Sequence, residues 1–122
     1  KIDKFLRSKN IIGGVQVIFD KLNIELNPQL LADVIRNKLE SKGIALIGVE
    51  AEKMQLLCVV TKDICDTVNA GEIIKKIATS FGLGGGGSKH FAMTTFSNNK
   101  LLNDSMKIGE EIIKQKCKTY VD

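Results

Sequence analysis

The chain has 122 residues, 43% of them apolar and 26% charged, which fits one globular domain and excludes both a disordered segment and two independent cores. No run approaches the roughly 18 apolar residues that a membrane helix needs, so no membrane partner is expected. The net charge of +4 is almost all lysine and divides unevenly: 10 basic against 9 acidic residues over 1–68, and 8 against 5 over 69–122.

The first residues, KIDKFLRSKN, place Ile2, Phe5 and Leu6 at helical spacing. Residues 1–12 are expected to be the end of a helical linker or dimerisation segment of a longer protein, with the IIGG stretch as the joint. Residues 13–122 are expected to form the globular domain. VQVIFDKL (Val15–Leu22) is β-branched and apolar and predicts a first strand. Asn27 followed by Pro28 predicts a helix start, because Asn accepts the first free amides and Pro has no amide to leave unpaired. Leu31, Val34, Ile35 and Leu39 give that helix an apolar face, and Gly43 is placed at its end. IALIGV (Ile44–Val49) predicts a second strand, parallel to the first across the helix. MQLLCVVT (Met54–Thr61) predicts a third, its hairpin partner.

Asn69 and Glu72 are spaced as a capping box before a helix that buries Ile73, Ile74, Ile77, Ala78 and Phe81. That spacing turns Lys75, Lys76 and Thr79 outward. The stretch GLGGGGSKH (Gly82–His90) follows, with five of the eleven glycines. FAMTTFS (Phe91–Ser97) predicts a short fourth strand. A last helix over about Leu101–Lys118 buries Leu102, Met106, Ile108, Ile112 and Ile113, with Lys107, Lys114 and Lys118 outside. Gly109 inside it marks close packing on the sheet. The fold class is α/β, a two-layer domain with a small mixed sheet of about four strands against about three helices.

The glycine stretch raises the question of phosphate binding. Gly82, Gly84 and Gly87 satisfy G-x-G-x-x-G by spacing, but that motif follows a strand and opens a helix, whereas here a helix precedes and a strand follows. In Gly87-Ser88-Lys89 the lysine and hydroxyl are in the wrong order for a P-loop. Two readings stay open on chemistry: a concave anion site of bare backbone amides with Lys89 and His90 at its end, or a flexible turn. Cys58, Cys65 and Cys117 lack a C-x-x-C and suggest reduced thiols in the cytoplasm. With His90 as the lone imidazole, neither a catalytic triad nor a zinc site is expected, and no cofactor is expected in this chain.

From Asp63 onward, DICDTVNAGEIIKKIATSFGLGGGGSKHFAMTT resembles the C-terminal domain of alanyl-tRNA synthetases, a DHH-associated nucleic-acid-binding family. Asn69-Ala70-Gly71 matches the helix opening, Gly84 to Gly87 the glycine run, Lys89 the basic position and Ala92 the tail alanine. The resemblance implies a non-catalytic accessory domain that helps bind tRNA, specific for alanine, at its elbow for aminoacylation. The parent ligase would use ATP and Mg, and the helical segment preceding Lys1 would mediate homodimerisation. On this reading Gly84, Gly85, Gly86, Gly87, Ser88, Lys89, His90, Lys75 and Lys76 bind RNA. The tail departs from the family pattern at Met93-Thr94-Thr95-Phe96, where bulk could block RNA or Phe96 could stack on a base. That departure keeps a second reading open, a protein-interaction or dimerisation module with weakened or repurposed RNA binding.

Overall fold

Side chains alternate across a strand, so a strand that is apolar at every position needs cover on both faces. β2 (Val15–Leu22) sends Val15 and Val17 to one core and Ile18 and Leu22 to another. β3 (Gly43–Glu50) divides Ile44 and Leu46 from Ala45, Ile47 and Val49, and β4 (Met54–Val60) divides Leu56, Cys58 and Val60 from Leu57 and Val59. In a computed structural model, which describes residues 9–120, both faces are covered. α1 (Pro28–Leu39) closes one core with Leu31, Ala32, Ile35 and Leu39. α2 (Ala70–Ser80) and α3 (Asn99–Lys118) close the other with Ile73, Ile74, Ile77, Leu102 and Ile113. The domain therefore has three layers, not the two expected, and the unbroken apolar runs of β3 and β4 are the physical reason.

The sheet has six strands in the order β1-β2-β3-β4-β6-β5, with β1 at Asn10–Ile12, β5 at Gly86–Gly87 and β6 at Phe91–Phe96. β2 and β3 are parallel and every other neighbouring pair is antiparallel. The four expected strands are present, and the two added ones are short edges with little apolar pattern to announce them. Gly13 (φ 57°) and Gly14 (φ 82°) make the two-residue turn between β1 and β2. Asn10–Ile12, expected at the end of a helical linker, thus forms the sheet's outer strand; the helical spacing of Ile2, Phe5 and Leu6 lies outside the described residues.

The helix starts follow their caps. Asn27 Oδ1 accepts from the amides of Gln29 at 2.9 Å and Leu30 at 3.3 Å, and Asn98 Oδ1 accepts from Leu101 at 2.9 Å, which starts α3 two residues earlier than expected. Gly43 does not end α1. Glu40 takes the left-handed position (φ 67°) and Gly43 is already the first residue of β3. α3 lies close on the sheet at Gly109, where a Cβ would stand 2.6 Å from Leu46 Cδ2, as the glycine's position in the helix predicts. Met106, Ile108 and Ile112, expected in the core, are half-buried at its edge, and Ser105, Gly109 and Cys117 take buried positions instead.

The stripe of α1 also differs from the expected one. Val34 is 39% exposed while Leu31 is 1% exposed, because the helix is turned so that positions 31, 32, 35 and 39 meet the sheet. Leu31→Ala should cost about 2–5 kcal/mol in chemical denaturation, and Val34→Ala about 0.5 kcal/mol or less. Equal losses for the two would show that this face is misassigned.

Candidate nucleic-acid interface

The glycine stretch contains a two-residue strand, β5, and is joined to both ends of α2. At the helix's C-terminus, Gly82 (φ 69°) donates its amide to Thr79 O at 3.0 Å and Leu83 donates to Ala78 O at 2.9 Å. Those two bonds satisfy the last carbonyls in the manner of a Schellman cap, which needs a residue free to turn left-handed. The chain then runs back alongside β6, pairing Gly86 with Met93 and Gly87 with Ala92. At Gly87 (φ 154°) a Cβ would stand 2.5 Å from Phe91 O and 2.7 Å from Ala92 Cα, so only glycine fits. Gly84 differs: a Cβ there would meet nothing within 4 Å.

At the N-terminus of α2, the Asn69 side chain accepts the Glu72 amide at 3.1 Å. The capping box is realised in that half, and Glu72 lines the groove beside it. The Ala70 amide donates to Lys89 O at 2.8 Å and so ties the end of the glycine stretch to the helix start. A Cβ on Gly71 would stand 3.0 Å from Gly87 O and 3.2 Å from Ser88 O. Two backbones therefore pass each other with no side chain between them, and an open groove lies along the pass. Gly71, Lys75, Gly86, Gly87, Ser88 and Lys89 line it, with Asn69 and Glu72 at the helix end.

The structure brings five of the nine expected residues together on this groove: Lys75, Gly86, Gly87, Ser88 and Lys89. Lys76 lines the adjoining groove on α2, and Gly84 and Gly85 lie upstream in the same exposed stretch. Ser88 closes the β5–β6 turn, donating its amide to Phe91 O at 2.8 Å while its Oγ accepts the Phe91 amide at 3.2 Å. Lys89 Nζ donates to Asp66 Oδ1 at 2.7 Å. That hydrogen bond and the opposite charge raise the Lys89 ammonium pKa and lower that of the Asp66 carboxyl. Both side chains are solvent-exposed, so the pair is weak and separable. His90 does not line the groove. Burial, and then the charges of Arg36 and Lys62, hold its imidazole below the ordinary histidine range, so it favours the neutral form.

Gly71, which the resemblance places in the helix opening but not among the RNA-binding residues, also lines the groove. The tail at Met93–Phe96 lines neither groove on α2. Met93 is half-buried against the α1 side. The Thr94 hydroxyl donates to Gly84 O at 2.9 Å, fixing the start of the glycine edge. Phe96 is 3% exposed and meets Phe81 edge-on at 5.5 Å between centroids, so it is a core residue and offers no stacking face.

These elements define an α/β domain whose mixed sheet ends in a glycine edge strapped to a helix N-terminus. The family model described as the DHHA1 domain matches residues 15–115, and the chain belongs to that family. It is similar to the alanine–tRNA ligases of Bacillus thuringiensis (32% identical over 110 residues) and Bacillus cytotoxicus (31% over 110 residues), each match covering 88% of this chain. The chain spans 12% of the length of those relatives. Its fold is similar to the crystal structure of the C-Ala domain from Aquifex aeolicus alanyl-tRNA synthetase, with a TM-score of 0.70 at 23% identity, covering 90% of this chain and 97% of that one. A DHH-domain protein described as a member of a family of ribosomal proteins shares the fold less closely, with a TM-score of 0.57 at 14% identity over 92% of this chain and 30% of that one. Among the described residues, no helix is long and apolar enough to cross a membrane.

The glycines separate by what the fold asks of each. Gly87→Ala should destabilise the domain by about 1–3 kcal/mol, since the Cβ would strike backbone and the φ is unfavourable. Gly84→Ala should stay within about 0.5 kcal/mol. Thermal or urea unfolding of the two variants checks this, and a Gly84→Ala loss as large as that of Gly87→Ala would contradict it.

Proposed function

We propose that this domain is the non-catalytic, tRNA-binding module of a longer alanine–tRNA ligase, and that it receives the RNA backbone on the groove between the glycine edge and the first turn of α2. The observation that carries the reading is the side-chain-free pass at Gly71 and Gly87, bordered by Lys75 and Lys89. Ammonium groups beside a groove without intervening bulk suit a phosphate, and the positive end of the α2 dipole favours negative charge there. Gly84 supports the same reading, because neither packing nor a left-handed φ requires a glycine there. The tail residues Met93 to Phe96 line neither groove on α2 and so leave this one unobstructed. The family and the relatives' name make tRNA the RNA of choice, and the resemblance extends this to the elbow and to ATP- and Mg-dependent chemistry elsewhere in the parent.

A second reading, a protein-interaction module, is favoured by a different surface. Leu30 and Val34, four apart on α1, are 60% and 39% exposed, and Leu26 in the loop before the helix is 48% exposed, giving this side of the domain an apolar surface directed away from the core. One set of samples separates the two readings. The chain should bind an alanine-acceptor tRNA transcript, and affinity should fall steeply between about 50 and 200 mM salt as released counterions are opposed. Sedimentation should show it as a monomer. Self-association with no tRNA affinity at the lower salt would reject the RNA reading in favour of the second.

A further inference from the structure

The groove at the glycine edge continues. Glu72 and Lys75 line it and also line a second groove, formed by Glu72, Lys75, Lys76, Thr79 and Ser80 on α2 and by Lys116 on α3. Lys116 is half-buried, and its hydrocarbon stem can lie along the groove while the ammonium stays in water. The hydroxyls of Thr79 and Ser80 donate to the carbonyls of Lys75 at 2.7 Å and Lys76 at 3.0 Å, so their protons are already engaged. The available donors of this second groove are therefore its lysines. Lys75, Lys76 and Lys116 enter no ion pair among the described residues, as is also true of Lys107 and Lys118, but these three line one groove together. Cations gathered from two helices along one groove are the arrangement that suits a polyanion.

We infer that the RNA backbone runs on from the glycine edge into the α2–α3 groove, where Lys116 makes a phosphate contact, and that Glu72 between the two grooves is a built-in repulsive group that limits affinity. This rests on the tRNA reading above and adds to it a second contact region and the residue that opposes it. A carboxylate in the middle of the track raises the cost of any phosphate passing it. It thereby weakens indiscriminate binding to polyanions and leaves the contacts on either side to set the register.

The test uses the 122-residue chain, an alanine-acceptor tRNA transcript as probe, and Kd measured across a salt series, with circular dichroism confirming the fold of each variant. Lys116→Gln should raise Kd by about 5–10-fold near 100 mM salt and reduce the salt slope by about 1. Lys107→Gln, which removes the same charge from α3 outside both grooves, should change Kd by less than about twofold. Glu72→Gln should tighten binding by about 2–5-fold, a gain that misfolding does not produce. Equal effects of Lys116→Gln and Lys107→Gln, or no gain from Glu72→Gln, would overturn the track while leaving the tRNA reading in place. No binding by the unmodified chain at about 50 mM salt would overturn the tRNA reading itself, and the track with it.

Discussion

The candidate interface depends on one contact between backbones. Gly87 and Ser88 carry their carbonyl oxygens past Gly71 so closely that a single Cβ would stand 3.0 and 3.2 Å from them. The Ala70 amide fixes the distance by donating to Lys89 O at 2.8 Å. To make that approach the chain must leave α2 in a tight left-handed turn at Gly82, run back along β6, and arrive without side chains. Three separate demands thus fall on one short stretch, and glycine meets each for a different reason: the φ of a helix cap, the collision of a Cβ with a neighbouring strand, and the passage of a helix.

The rest of the fold holds this contact still. α2 cannot shift, because Ile73, Ile74 and Ile77 are fully buried between the sheet and α3. β6 cannot shift, because it is paired to β4 over six residues and its Phe96 is locked against Phe81. The opposite face, closed by α1, carries a separate core and an exposed apolar surface. One small domain therefore presents two surfaces of different chemistry, one a glycine pass bordered by lysines, the other apolar. His90 and Arg36 lie on the α1 side, which explains why the end of the glycine stretch divides, with Lys89 on the groove and His90 off it.

Much of this was legible in the sequence where local chemistry decides structure. Asn27-Pro28, Asn69 and the apolar runs of β2, β3, β4 and β6 carry their own instructions, and the helix-before, strand-after order of the glycine stretch excludes both common phosphate motifs. What was not legible depends on partners distant in the chain. The third layer follows from reading the unbroken runs of β3 and β4 as strands covered twice, and a helix is needed on each side to see it. β5 has two glycines and no apolar signal, so only its pairing with β6 makes it a strand. Val34 fits the helical period as well as Leu31 does, and only the crossing of α1 over the sheet exposes one and buries the other. Phe96 looks like a free aromatic until Phe81 is placed beside it. Lys116 cannot be joined to Lys75 by any spacing rule, because the two lie on different helices.

The central claim is that RNA is received on the glycine edge and the α2 start, and not on the α1 face. Titrating the isotope-labelled chain with an alanine-acceptor tRNA transcript and following its backbone amides tests this directly. The account predicts shifts or broadening concentrated at Gly71, Lys75 and Gly86 to Lys89, with Leu30 and Val34 unmoved. Perturbations centred on Leu30 and Val34, or none at Gly71 and Gly87, would contradict it.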